Sequence, residues 1–169
     1  MTTKKFFTTQ QLVMMGILIA INIILSRFLS ISAWNLKIGF AFLPVVFAAI
    51  YLGPWHAALV GAIGDFLGAT FFPIGAYFPG FTITAFLVGF IYGVFLHKKQ
   101  GWKQIVTAVL ITEVGGSLLL NTLWISVLYG SPILPLMATR VFQVVVMICI
   151  DCVLIRCVAD ISRKVNHIL

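Results

Sequence analysis

Negative charge is almost absent from this chain. Four acidic residues stand against eleven Lys and Arg, and charged residues of both signs make up only 9% of the 169. A soluble domain carries about 25% charged and about 45–50% apolar residues, whereas 62% of this sequence is hydrophobic. An ordinary water-soluble domain is excluded, and an integral membrane protein is expected. Cysteine is scarce as well, with Cys149, Cys152 and Cys157 all in the last apolar segment. Cys149 and Cys152 share a helical face, but no histidine or further cysteine lies nearby to complete a zinc set, so inert helix packing fits them. No metal and no cofactor is expected. Catalytic signatures are missing too: there is no GxxxxGK[ST] loop, no HExxH, no GxSxG and no paired-carboxylate motif. His56, His97 and His167 fall in loops or the tail. Nucleotide hydrolysis by a P-loop route is excluded, nothing supports an intramembrane enzyme, and the chain is expected to be non-catalytic.

What is present is apolar sequence in long runs. Six transmembrane helices are expected at about 10–28, 39–52, 56–71, 82–96, 104–128 and 135–160, an all-α bundle in a single membrane domain over 1–169. The second, third and fourth runs are short for full spans and predict tilted or partly re-entrant packing. The first follows Lys4 and Lys5, yet Ser26-Arg27-Phe28 is no small-residue cleavage site, so an uncleaved helix is expected. With the N-terminus in the cytoplasm, Lys4, Lys5, Lys98, Lys99, Lys103, Arg156, Arg163 and Lys164 lie inside, and only Arg27, Lys37 and Arg140 lie toward the outside. That asymmetry obeys the positive-inside rule and places both termini in the cytoplasm. The basic excess is thus explained by topology and does not call for nucleic acid. Small residues recur every fourth position in the third run (Ala57-Gly61, Ala58-Ala62, Gly64-Gly68), with one such pair, Gly16 and Ala20, in the first. Close helix packing within the chain and docking of another membrane protein both fit this pattern.

An ionisable side chain near the bilayer centre costs about 2.5–3.5 kcal/mol on insertion scales, so each one calls for a partner, a cavity or a function. Arg27, Lys37, Asp65, Glu113, Arg140 and Asp151 qualify. The three cations, all toward one side, suit an anion, and arginine in particular suits a carboxylate through its two-pronged fork. Asp65 and Arg140 both fall roughly 8–9 Å below the outer helix ends. Either they pair directly, or one or both face a ligand. Glu113 and Asp151 lie nearer the cytoplasmic half, where structural pairing or partner contact is expected. Trp34, Asn35, Tyr77, Phe78, Phe81, Thr82, Thr84, Asn121, Trp124, Tyr129 and Gln143 surround the outer region. Asn121 and Trp124 are three apart on one helical face. A mostly aromatic pocket with a few placed polar groups is what a small-molecule site requires. The stretch FFPIGAYFPGFTITAF, residues 71–86, adds an irregular, aromatic crossing on the same side. Such backbone is tolerated at membrane depth where it is buried in protein or lines a cavity. The residues describe a binding pocket for an anionic, aromatic small molecule, without an energy source of its own.

KIGFAFLPVVFAAIYLGP followed by GAIGDFLGATFFPIGAYFPGFTITAFLVGFIYG resembles the folate-specific S components (FolT) of the energy-coupling factor (ECF) transporters. The resemblance covers nearly the whole chain and is most specific over residues 37–93. It implies a high-affinity substrate-binding subunit that takes folate from outside, multi-pass in a bacterial plasma membrane. It also implies a transmembrane coupling subunit and two ATPase subunits that drive release inward. Gly16 and Ala20 match, with glycine for the first alanine, the AxxxA pattern by which such subunits contact the coupling protein. For folate, the pterin edge suits Asp65 and Asn121. The ring faces suit Trp34, Phe78, Phe81 or Trp124, and the glutamate carboxylates suit Lys37, Arg27 or Arg140. Asn35 and Gln143 complete the expected site. Two alternatives stay open: an S component for another anionic vitamin such as pantothenate, or a small passive anion channel.

Overall fold

The computed structural model describes residues 8–33 and 36–168, with side chains described outside 31–38 and 163–168. Six helices run in order: α1 (Thr9–Arg27), α2 (Phe42–Tyr51), α3 (Pro54–Phe71), α4 (Pro79–Leu96), α5 (Trp102–Tyr129) and α6 (Ile133–Ile168). Between α1 and α2 lies a short antiparallel hairpin, β1 (Ser30–Ala33) with β2 (Leu36–Gly39), in which Ser30 faces Gly39 and Ala33 faces Leu36. This stretch was expected to be a plain connection. The helix bundle is therefore supplemented by one two-stranded element, and α2 starts three residues later than its apolar run suggests. Gly39 is required by that register, because a Cβ there would fall 2.7 Å from the Cβ of Ser30.

Start signals explain where the helices begin. Thr8 caps α1 through a reciprocal capping box with Gln11, whose side chain accepts from the Thr8 amide at 3.0 Å. Pro54 and Pro79 occupy the first turns of α3 and α4, where the missing N–H costs nothing and the fixed φ favours the helix. Both helices consequently start two or three residues earlier than a reading of these prolines as breakers implies. Gly53, at φ +94°, makes the turn between α2 and α3, and Gly130, at φ +62°, ends α5 in the left-handed conformation.

Among the described residues, four helices are long and apolar enough to cross a membrane: α1, α4, α5 and the Ile133–Ser162 part of α6. The ten residues of α2 span only about 15 Å, half a hydrocarbon core. The middle of α5, Ile111–Leu120, is π-helical, with the Asn121 amide donating to the carbonyl five residues back at Gly116. A π segment of this length is uncommon, since such turns normally occur singly.

The most extensive contact is between α3 and α4, and it is made through glycine. A Cβ on Gly61 would fall 2.7 Å from the Ala85 carbonyl oxygen, and one on Gly89 or Gly93 would strike the backbone of Ala57 and Ala58 or of Pro54. The adjoining face of α3 receives α1: Asn22 lies over Gly64, and Arg27 over Gly68, where a Cβ would sit 2.8 Å from Arg27 Nε. Ala57, Ala58, Gly61, Gly64 and Gly68 are all buried, so the small-residue stripe serves packing inside the chain. Docking of a partner along that stripe is overturned. The core behind it joins Val46, Ala49, Val60, Tyr92, Leu96, Ile105, Val109 and Ile155 from five helices.

A test of the glycine contact follows from opposite signs. Gly89→Ala should cost about 1–3 kcal/mol by overpacking a backbone contact. Gly16→Ala, where nothing lies within 4 Å, should be neutral or stabilising by up to about 1 kcal/mol through helix propensity. Thermal unfolding of both variants in the same detergent measures the difference.

Candidate functional site

The antiparallel run of the helices brings the end of α1, the end of α3, the start of α4, the end of α5 and the start of α6 to one end of the bundle. Five of the residues expected to bind ligand, Arg27, Asp65, Phe78, Phe81 and Trp124, lie there. Arg27, at the last turn of α1, reaches Asp65 of α3 with Nη2 3.8 Å from Oδ1, and the same nitrogen donates to the Asp65 carbonyl at 3.5 Å. Asp65 thus pairs with Arg27. The direct Asp65–Arg140 pair, one of the two readings of the sequence, is not formed. Thr82, in the first turns of α4, donates to Asp65 Oδ2 at 2.9 Å, and Tyr77 Oη lies 3.2 Å from the Thr82 hydroxyl oxygen.

Beside this polar group stands an aromatic one. Phe78, the last residue before α4, packs against Phe81 with centroids 6.3 Å apart and against Trp124 of α5 at 5.5 Å. The indole is aimed by its own hydrogen bond, Trp124 Nε1 donating to Thr84 Oγ1 at 3.1 Å, while that hydroxyl donates to the Gly80 carbonyl at 3.0 Å. Gly80 is the position that admits the ring, because a Cβ there would fall 2.5 Å from the indole. Asn121, one turn before Trp124, keeps its side-chain oxygen buried without a hydrogen-bond donor.

A second polar group lies between α4, α5 and α6. The buried face of α6 runs Leu136, Arg140, Gln143, Met147, Asp151, Ile155 and Ala159 at helical spacing, so charged and amide side chains occupy core positions. Arg140, 5% exposed, donates through Nη2 to the Ser117 carbonyl in the π segment at 2.9 Å, and Glu113 of the same segment lies within electrostatic reach of its guanidinium. Asp151 is 1% exposed and faces Tyr92, whose hydroxyl oxygen accepts from Thr112 at 3.1 Å. Trp34 and Asn35 lie outside the described residues. Lys37 is in β2, and its side chain is likewise outside them. Gly16 and Ala20 are both exposed on α1, on a face continued by Leu12, Val13, Ile17, Ile21 and Ile24.

Comparison with known proteins identifies the family. The family model of the ECF transporter substrate-specific component matches residues 10–156. This chain belongs to that family. Among curated relatives, the folate transporter FolT of Clostridium novyi (strain NT) is 41% identical over 145 residues, covering 85% of this chain and 84% of its own. FolT of Leuconostoc mesenteroides is 35% identical over 123 residues, covering 72% of this chain and 66% of its own. Among solved structures, a crystal structure of FolT bound with folic acid superimposes with a TM-score of 0.86 at 33% identity, over 90% of this chain and 94% of that one. This S component is accordingly a multi-pass membrane protein.

In this S component the sequence singled out Arg27, Asp65, Phe78, Phe81 and Trp124, which the fold brings into one cluster. Arg140 is engaged instead by the Ser117 carbonyl of the π segment, Gln143 is one turn along α6 from it, and Asn121 is one turn before Trp124 on α5. Tyr92, Ser117 and Asn22 were missed. Asn22 is a buried amide on α1 that donates to the Ala41 carbonyl at 2.6 Å. The available signal was a lone asparagine in an otherwise apolar run, the same signal that picked out Asn121.

The Arg27–Asp65 contact is measurable by a double-mutant cycle of Arg27→Gln, Asp65→Asn and the double variant. At 10% and 26% side-chain exposure, a coupling of about 0.5–3 kcal/mol is expected. The double variant should therefore be less destabilised than the sum of the singles, read by unfolding in detergent.

Proposed function

We propose that this S component binds folate from the outer side of the membrane and delivers it inward together with a transmembrane coupling subunit and two ATPase subunits, itself catalysing no reaction. The observation that carries this reading is the likeness to the folic-acid-bound FolT structure, at 33% identity over 90% of the chain. The chemistry of the clustered residues supports it. Asp65 and the Asn121 amide oxygen are acceptors for the N–H groups of a pterin edge. Phe78, Phe81 and Trp124, with Trp34, are flat surfaces for its rings. Arg27, Lys37 and Arg140 are cations for the two glutamate carboxylates, with Asn35 and Gln143 as further polar contacts. Arg27 would then exchange or share Asp65 for ligand, which a 3.8 Å contact permits more readily than a short bidentate pair.

The orientation with both termini in the cytoplasm rests on the distribution of Lys and Arg. It sets the Arg27–Asp65 end outward. The exposed apolar face of α1, with Gly16 at a place where nothing crowds it, suits close approach by a helix of the coupling subunit.

Binding of labelled folate to the purified protein is the direct test. Saturable binding at submicromolar folate is expected, together with ATP-dependent uptake only when the coupling and ATPase subunits are present. Tight binding of pantothenate in place of folate would overturn the choice of vitamin. Ion conductance in liposomes lacking the other subunits, without saturable binding, would overturn the class.

A further inference from the structure

Two hydroxyls and a carboxylate at the mouth of the site form a chain whose direction follows from counting hydrogens. Thr82 Oγ1 donates to Asp65 Oδ2 at 2.9 Å, and Tyr77 Oη lies 3.2 Å from that threonine oxygen. A threonine hydroxyl has one hydrogen and two lone pairs. Its hydrogen is committed to the carboxylate, so Tyr77 is the donor to Thr82. The other carboxylate oxygen, Oδ1, faces Arg27 Nη2 at 3.8 Å. Both oxygens of Asp65 are thereby oriented, one by a neutral donor on α4 and one by a cation on α1.

The chain also reaches the connection between α3 and α4. Residues 71–77 are all exposed, and Tyr77 is 39% exposed. The Tyr77 ring meets Phe66 of α3 edge-on with centroids 5.9 Å apart. Its hydroxyl is thus a tie from this connection to Thr82, and the next residue, Phe78, packs against Trp124 with its ring tilted by 42°.

We infer that Thr82 is a positioning residue that orients the Asp65 carboxylate for the ligand, and that Tyr77 is the clasp that holds the 72–78 connection over the site. Thr82 acts through Asp65 and the clasp acts through Thr82, so neither needs to touch the ligand. The inference rests on the folate reading only for the identity of that ligand.

The experiment compares wild-type protein with Thr82→Val, Thr82→Ser and Tyr77→Phe. It measures folate affinity, the two binding rates, and hydrogen exchange of residues 72–78 without ligand. Without Thr82 the Asp65 side chain has to be ordered when the ligand binds, which corresponds to about a three- to tenfold loss of affinity. Thr82→Val should weaken folate by that amount, and Thr82→Ser, which keeps the hydroxyl, should restore it. Tyr77→Phe keeps the contact with Phe66 and should leave Kd within about threefold while speeding association and dissociation together. Exchange in 72–78 should rise in Thr82→Val and Tyr77→Phe and stay at the wild-type level in Thr82→Ser. Wild-type affinity in Thr82→Val, or a Thr82→Ser protein as weak as Thr82→Val, would overturn the positioning role. Unchanged rates and exchange in Tyr77→Phe would overturn the clasp, and that variant decides the clasp even where Thr82→Val fails to fold. A wild-type protein that binds no folate would remove the ligand assignment, while ligand-free exchange would still decide the clasp.

Discussion

The backbone contact between α3 and α4 is the constraint on which the rest of this molecule depends. In a bilayer the hydrophobic effect no longer draws helices together, and association relies on van der Waals packing and interhelical hydrogen bonds. Gly61, Gly89 and Gly93 let the two helices touch main chain to main chain along their length. At the far end of that contact, α4 starts close to where α3 stops. This closeness lets Thr82 reach back to Asp65, while Trp124 of α5 reaches Thr84 on the other side of α4, across Gly80. A pair of helices held farther apart by side chains would leave the Thr82 hydroxyl without Asp65.

The other face of α3 is used with the same economy of space. Asn22 and Arg27, polar side chains of α1, lie over Gly64 and Gly68. A polar group inside a membrane bundle must find its partners within the protein. Asn22 finds the Ala41 carbonyl just ahead of α2, and Arg27 finds Asp65. Glycine at these places gives room to side chains of the neighbouring helix, which is why a four-residue spacing could be read equally well as a docking face. What α1 leaves exposed is its opposite side, bearing Gly16 and Ala20.

Helix number and class were legible because long apolar runs leave few alternatives. The starts of α3 and α4 were less so, since a proline reads as a breaker in a run although it favours the first helical turn. The hairpin at Ser30–Gly39 does alternate, as Ser-Ile-Ser-Ala and Leu-Lys-Ile-Gly, but over four residues a strand that pattern is too short to stand out from a loop. The π segment of α5 is a departure of hydrogen-bond register, and side-chain hydrophobicity carries little record of it. For the site, residue types were legible and pairings were not. Arg27, Asp65 and Trp124 stood out as costly or flat groups in an apolar chain. That Asp65 meets Arg27 and not Arg140 depends on which helix lies against Gly68, a matter of tertiary contact.

The two intramembrane aspartates show how depth divides roles. Asp151 is 1% exposed, its carboxylate enclosed beside Tyr92 and Thr112. Bringing a ligand to it would require separating α4, α5 and α6, whose packing forms the core. Asp65 is 26% exposed at its side chain, receives one good hydrogen bond from Thr82, and meets its cation only at 3.8 Å. A carboxylate so placed is oriented but not saturated, since each oxygen can accept more than one donor. Orientation with spare capacity is what recognition of a ligand's N–H edge requires, because most of the cost of fixing the acceptor has been met before the ligand arrives. The polar groups of this bundle are therefore not equivalent candidates. The shallow one is oriented by Thr82 and Arg27 and within reach of a ligand, whereas the deep one is enclosed with neither carboxylate oxygen hydrogen-bonded.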